Sequence, residues 1–280
     1  MIFPSIAPGS GVLSRPIVLL AVLAIPADAQ EPFGLLLQGE AAESFLKTAR
    51  VVKKKAIGIG VTHPYQLTLD DGTRTLKAVW KTIDESPSGV KQFVDGKFEA
   101  NFRDSYMFEI AAYELDKLLG LGLVPPTVER EINNEKGSVQ LWVEGSLTEW
   151  ERRKQNLKPT DVDRWNEQMF KVRLLHQLTY NTDYTNIRNI LVDPDFRIYA
   201  IDFSRGFRLH DSLLAEADLA RFSRSALATL RGLNRALLEQ KLDRWLTSWE
   251  IQGLLKRRDR ILALAERRVA EEGEDAVLYP

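Results

Sequence analysis

Two periods divide the chain. After a lead-in over residues 30–44, the segment from Phe45 reads as strands in which apolar and polar residues alternate. "YQLTL" at 65–69 and "LKAVWKTI" at 76–83 each turn one face inward at a period of two, and "DDGT" at 70–73 joins them as a hairpin turn. "RVVKKK" at 50–55 reads as the solvated face of a neighbouring strand, and residues 84–100 read as loop. From Arg103 to Leu121 the spacing changes to three and four, through Met107, Ile110, Ala111, Leu115, Leu118 and Leu119, which predicts a helix. Gly120, Gly122, Pro125 and Pro126 end it. "TVEREI" at 127–132 and "GSVQLWVEGS" at 137–146 then alternate again around an "NNEKG" turn.

The second half is helical in pattern. "WNEQMFKVRLLHQL" at 165–178, residues 213–230 and residues 234–272 carry helical spacing, with a single non-helical stretch at 179–207. Trp245 and Trp249, four apart, read as core. The closing basic run has acidic residues interspersed, which favours a packed helix over a membrane-surface one. Strand-rich first and helix-rich afterwards is the pattern of an α+β chain in two lobes, with a boundary near Glu144-Gly145. A cleft between lobes is where a small ligand sits.

Composition narrows the chemistry. The 280 residues include no cysteine, which excludes disulfide frameworks, zinc ribbons and thiol catalysis. Three widely separated histidines, His63, His176 and His210, argue against a His-rich metal site. A formal charge of −1 gives no basis for a nucleic-acid partner held by bulk electrostatics. The N-terminal "RPIVLLAVLAIPADAQ" places a short apolar run between Arg15 and Ala27-Asp28-Ala29, the arrangement of a secretory signal peptide over 1–29 with the mature chain from Gln30. That run is too short to span a bilayer comfortably, so no stable membrane insertion is expected after cleavage.

The informative stretch is "TYNTDYTNIRNILVDPDFRIYAIDFSRGF", 179–207. Asn181, Asn186 and Asn189 crowd around Asp183, and Asp202 follows "RIYAI". Asn and Asp are turn formers, which is the bland account. The spacing offers a sharper one: "ILVD" and "RIYAI" form a hairpin through "DPDF", so Asn189 and Asp202 meet at one end of it. Two hard oxygen ligands beside phosphates suit Mg²⁺. Asp183, after a helix and before a strand, stands where it can orient an attacking hydroxyl. Lys81 ends an alternating strand, Glu109 lies within the helix, and Gly58 and Gly60 sit upstream between apolar residues. Taken singly, the lysine and glutamate read as exposed charges and the two glycines as a plain turn. The order Lys, helix Glu, Asp, Asn, Asp is that of phosphotransferases.

Glu109 to Arg130, "EIAAYELDKLLGLGLVPPTVER", resembles the helix and strand of the secreted Golgi casein-kinase family of extracellular kinases. "NTDYTNIRNILVD" and "IDFSRGF" are similar to the catalytic and metal loops of that family and of phosphatidylinositol-kinase-like enzymes. The resemblance covers about Ile57 to Phe207. It implies a bilobal protein-kinase-like fold, with an N-lobe over 30–145 containing one inserted helix and a helical C-lobe over 146–280. It further implies Lys81 on the phosphates of ATP, Glu109 beside it, Asp183 as catalytic base, and Asn189 and Asp202 as ligands of Mg²⁺ or Mn²⁺. "QLWVEG", with Leu141 and Val143, is the implied hinge that reads adenine through its backbone.

The expected activity is therefore that of an exported, ATP- and metal-dependent phosphotransferase acting on a protein or glycan hydroxyl. Three departures qualify it. Asp183 and Asn189 stand six apart where the family pattern has five, so either the loop bulges or Asn186 shares the role. Tyr184 replaces a basic residue, and the metal loop reads "DFSRGF", leaving Arg205 to hold phosphate or cap the turn. The six-residue spacing and Tyr184 favour the rival reading of a pseudokinase that binds nucleotide or a protein partner. Transfer of another group, such as a nucleotidyl moiety, is the third reading.

Overall fold

The alternating segments form one antiparallel sheet. The computed structural model describes residues 33–58, 64–86, 90–92, 96, 98–100 and 102–280. An opening helix α1 (Gly39–Thr48) precedes β1 (Arg50–Ala56), β2 (Tyr65–Asp70) and β3 (Thr75–Lys81). Short paired strands follow in 84–105: β4 (Asp84–Glu85), β5 (Val90–Gln92), β6 (Phe98–Ala100) and β7 (Asp104–Ser105), with β4 on β7 and β5 on β6. Helix α2 (Tyr106–Leu119) then leads to β8 (Thr127–Ile132) and β9 (Glu135–Leu141). The sheet order is β1-β2-β3-β9-β8. Lys81 pairs with Ser138 and Ala78 with Leu141, so the last residue of β3 lies near the sheet centre.

The inward face of this sheet is apolar and dry. Leu67, Leu69, Ala78, Trp80 and Val139 are fully buried, and α1 covers them with Ala42, Phe45 and Leu46. Gly137 lies against Lys81, and a Cβ there would collide with the Lys81 carbonyl and the Trp80 indole nitrogen. No other residue type fits that approach.

Helix α2 is apolar on nearly every side, with Phe108, Ile110, Ala111, Ala112 and Leu115 all buried, as befits a helix enclosed by other elements. Ser105 caps its start by accepting the Met107 N–H at 3.2 Å, and Gly120 ends it in the left-handed region at φ 64°. The Asp116 carboxylate near its end accepts the N–H groups of Leu123 and Val124 and so fixes the turn into β8.

The helical half packs around a second core that contains Leu174, Leu175, Phe203, Leu227, Leu254 and Ile261. It starts with β10 (Leu147–Thr148), α3 (Glu149–Lys154) and α4 (Val162–Thr179). A 3-10 turn at Ile187–Asn189 opens the hairpin of β11 (Ile190–Val192) and β12 (Ile198–Ala200), and β10 adds to its edge. After β13 (Phe222–Ser223) come α5 (Arg224–Gly232), α6 (Arg235–Leu242), α7 (Ser248–Glu272), α8 (Glu274–Val277) and β14 (Leu278–Tyr279), the last parallel to β13. Among the described residues, no helix is long and apolar enough to cross a membrane.

Five local expectations change. Residues 39–48, read as lead-in and strand, form α1, so α2 is not the sole helix of the first half. The 84–100 loop carries short strands. The helix expected at 213–230 begins at Arg224, because Ser223 caps it there, and 234–272 breaks into α6 and α7 at a Thr247–Glu250 capping box. Trp245 packs partly on the core, but Trp249 is 69% exposed. It sits in the first turn of α7, on the side away from the core.

Candidate functional site

Chain order separates Lys81, Glu109 and Asp202 widely, yet they share one ion-pair cluster. The sheet carries Lys81 at the end of β3, the first turn of α2 carries Glu109, and Asp202 follows β12 by two residues. Lys81 Nζ donates to Glu109 Oε1 at 2.6 Å and to Asp202 Oδ1 at 2.8 Å. The Lys81 and Glu109 side chains are 12% and 2% exposed, whereas that of Asp202 is 39% exposed. The cluster therefore has a dry end and a wet end.

Burial pulls the Lys81 ammonium down, but Asp202 and Glu109 outweigh it and leave its pKa raised. Asp202 is held below the usual carboxylate range by the Lys81 charge. Burial pushes Glu109 up against the pull of Lys81. Glu109 also accepts the Phe203 N–H on Oε2 at 3.1 Å, so one carboxylate fixes both the lysine and the backbone just past Asp202. Asp202 itself is left-handed, at φ 67°, a conformation that costs a non-glycine residue about 1 kcal/mol or more. The Lys81 ion pair and the Asn181 amide, which donates to the Asp202 carbonyl at 3.2 Å, hold it there.

The second half of the site is a loop of amides around Asp183. Its Oδ2 accepts from Asn189 Nδ2 at 2.8 Å and from Asn186 Nδ2 at 3.0 Å, and its N–H donates to Asn181 Oδ1 at 3.1 Å. Asn186 also caps the 3-10 turn by accepting the Arg188 N–H at 3.2 Å. The extra residue between Asp183 and Asn189 is thus absorbed in a capped turn. Asn186 supports Asp183, and Asn189 keeps its place at the head of β11. Pairing of Ile190 with Ala200, and the Ile201 N–H on the Asn189 carbonyl at 2.9 Å, bring Asn189 and Asp202 to the same end of the hairpin.

Asp183 Oδ1, Asn189 Oδ1 and Asp202 Oδ2 make no hydrogen bond within the described residues, so three oxygens are free on these side chains. Among the described residues no group of three or more carboxylates or histidines forms a ready metal cage. A hard divalent ion at Asn189 and Asp202 would complete its shell with phosphate and water, as Mg²⁺ does. The oxygen donors fit that demand.

The other expected site residues belong to the sheet and its connections. Gly58 follows β1 at φ 71°, in the connection to β2, and Gly60 falls outside the described residues. Leu141 is a core side chain at the end of β9, and its N–H is engaged by the Pro126 carbonyl at 2.9 Å. The Val143 side chain is buried and its carbonyl accepts the Ser146 hydroxyl. The next residue, Glu144, exchanges both backbone hydrogen bonds with Gly34, at 2.8 and 3.0 Å. The segment leading into α1 thus runs along this connection.

His176 and Arg257 had no sequence signal for a role here, and Arg205, read as holding phosphate or capping the turn, has a further partner. Arg205 Nε donates to the buried Asp104 at 2.9 Å, and its charge faces Asp183 and Asp202. His176 on α4 stacks against Phe203 at 5.5 Å between ring centroids, and burial depresses its pKa to about 4. Arg257, fully buried on α7, donates to the carbonyls of Leu178 and Arg208, which flank the site loops in the chain. Each joins residues far apart in sequence.

No protein-family model matches the chain, and no curated protein matches it in sequence. Solved structures do. A Fam20 protein of hydra, solved with sugar, superposes at a TM-score of 0.64 over 87% of this chain and 93% of that one, at 16% identity. The chain has the Fam20-like kinase fold. The Golgi casein kinase with Mn/ADP bound matches at a TM-score of 0.59, 17% identical, over 85% of this chain and 78% of that one. The Fam20-like fold accounts for the division seen here, an antiparallel sheet with α2 in the first part and helices in the second.

Proposed function

We propose that the chain is an exported, ATP- and metal-dependent phosphotransferase that modifies a hydroxyl group of a protein or glycan. The observation that carries this reading is the convergence of Lys81 on Glu109 and Asp202, at 2.6 and 2.8 Å, near a part-buried Asp183 with one free oxygen. Lys81 is oriented to neutralise phosphate oxygens, and Glu109 prevents it from swinging away. Asp183 Oδ1 accepts the acceptor's proton as the acceptor oxygen bonds to the γ-phosphorus and the bond to the ADP oxygen breaks. Asn186 and Asn189 hold the other carboxylate oxygen, which aims Oδ1. Asn189 and Asp202 would hold Mg²⁺ or Mn²⁺, which when bound would neutralise phosphate charge. Gly58 and the Leu141–Val143 connection would enclose the nucleotide.

The Mn/ADP complex of the Golgi casein kinase supports nucleotide and metal as cofactors for this fold. Export rests on the signal pattern of 1–29, which lies outside the described residues. N-terminal sequencing of secreted chain tests it, with Gln30 expected as the first residue. The pseudokinase reading draws on Tyr184 in place of the usual basic residue. Calorimetric titration with ATP, with and without Mn²⁺, tests the nucleotide site. Metal-dependent binding that disappears in Asp202→Ala supports that site, and phosphate transfer in an acceptor screen then separates the phosphotransferase from a nucleotide-binding pseudokinase. No binding with or without Mn²⁺ supports a ligand-free pseudokinase.

A further inference from the structure

Arg205 lies three residues past Asp202, and its bond to Asp104 uses only part of it. The Arg205 side chain is 36% exposed, whereas that of Asp104 is 3% exposed. Only Nε meets the Asp104 carboxylate, at 2.9 Å. Arg152 shows the alternative within the same molecule, gripping the buried Glu149 with Nε and an amino group together. A guanidinium that serves as a tie uses that two-pronged fork. Neither amino group of Arg205 has a hydrogen-bond partner among the described residues, so both keep their N–H donors.

The backbone beneath it is fixed against the Asp183 loop. The Arg205 carbonyl accepts the Thr182 hydroxyl at 3.5 Å, and the N–H groups of Gly206 and Phe207 donate to the carbonyls of Phe203 and Thr179. A Cβ on Gly206 would lie 3.1 Å from the Phe203 carbonyl, so the turn after Arg205 closes tightly. Charge balance leaves room for a second cation. Lys81 is shared by Glu109 and Asp202, and Asp183 adds a carboxylate that is held by amides alone. The charges of Lys81 and Arg205 both act on Asp202, and that of Arg205 also reaches Asp183. Tyr184 stands after Asp183, where the family pattern has a basic residue.

We infer that Arg205 is a further catalytic residue, whose amino groups donate to oxygens of the transferred phosphoryl in place of the basic residue that Tyr184 replaces. This rests on the phosphotransferase reading and adds a member to that site. Asp104 is the pivot: it holds Nε, so the rest of the fork is presented already ordered. As the acceptor oxygen bonds to the γ-phosphorus and the bond to the ADP oxygen breaks, negative charge spreads over the phosphoryl and leaving oxygens. Lys81, drawn to two carboxylates, counters part of that charge. Arg205 counters a further part and neither gains nor loses a proton, since the acceptor's proton goes to Asp183.

The test measures ADP binding to the full chain by calorimetry in Mn²⁺, with and without aluminium fluoride, which beside ADP mimics the phosphoryl in transit. The wild-type chain is expected to bind ADP about tenfold tighter or more when aluminium fluoride is present. Arg205→Ala should bind ADP alone within about twofold of wild type yet lose most of that gain, and added guanidinium ion should restore about threefold or more. Arg205→Lys keeps a charge but cannot serve Asp104 and phosphate together, so it should lose the gain as well. A full gain in either variant overturns the proposal. A residue that only ties the loop to Asp104 gives a different result: ADP and its fluoride complex weaken equally, the thermal midpoint falls, and guanidinium rescues neither. That result also overturns it. A wild-type chain that binds ADP but gains nothing from aluminium fluoride sinks the role of Arg205 and leaves the nucleotide site standing. No binding of ADP removes the phosphotransferase reading together with it.

Discussion

The Lys81 cluster and the Asp183 loop are built from opposite materials. The first is a set of charges whose dry end lies within the protein and whose members come from β3, α2 and the segment after β12, 28 and 121 residues apart along the chain. The second is a set of amide hydrogen bonds around one carboxylate, within nine residues of backbone, half open to solvent. Breaking a buried ion pair leaves an unpaired charge, which costs far more than losing one of several local hydrogen bonds. The charged half is thus suited to binding and fixing phosphate, and the amide half to fine positioning of one oxygen.

Substitutions should expose that difference. Asp202→Ala, which removes both the Lys81 partner and a ligand oxygen, is expected to lower phosphate transfer at least 10²–10³-fold while the fold persists; wild-type turnover would sink the assignment. Glu109→Ala leaves Lys81 with one partner and the Phe203 N–H with none. It should destabilise the chain by about 3–5 kcal/mol in denaturant melts, and a loss below 1 kcal/mol would mean that the buried pair is not formed.

A third prediction concerns pH. His176 is buried with its folded pKa lowered to about 4, whereas an unfolded histidine titrates near 6.5. The unfolded chain therefore binds the proton first as pH falls. The contribution of His176 to stability is complete above about pH 6.5 and disappears towards pH 4, by about 3 kcal/mol. His176→Phe should flatten that part of the stability profile, and an unchanged slope between pH 6.5 and 4 would contradict the buried neutral ring. The smallest effect belongs to the amide half. Asn186→Ala leaves the Asn189 hydrogen bond in place and should cost about 1 kcal/mol in transition-state stabilisation, roughly fivefold in kcat/KM.

The two halves also differed in how far they could be read from residues alone. The amide loop is local: Asn181, Asp183, Asn186 and Asn189 lie within nine positions, their residue types favour capped turns, and the hairpin that follows alternates cleanly. Helix α2 was equally plain, because apolar spacing and a glycine stop agree. Helix α1 was not, since Gln38 supplies no side-chain cap and only three buried residues, Ala42, Phe45 and Leu46, mark its face. The break between α6 and α7 did have a signal, the Thr247–Glu250 capping box, which a long helical period masked.

What the sequence by itself determined is the main strands of the sheet, helix α2, the hairpin of β11 and β12, and the order of chemical groups along them, because periodicity, caps and turns act over a few residues. Tertiary structure alone decided that Lys81 meets Asp202 as well as Glu109, that Arg205 reaches Asp104, that His176 lies beneath Phe203 and that Trp249 faces water. Each of these depends on how a sheet end, a helix face and a hairpin pack together. A charge or ring at a given position records its type, while its partner is set by distances that only the packed chain defines.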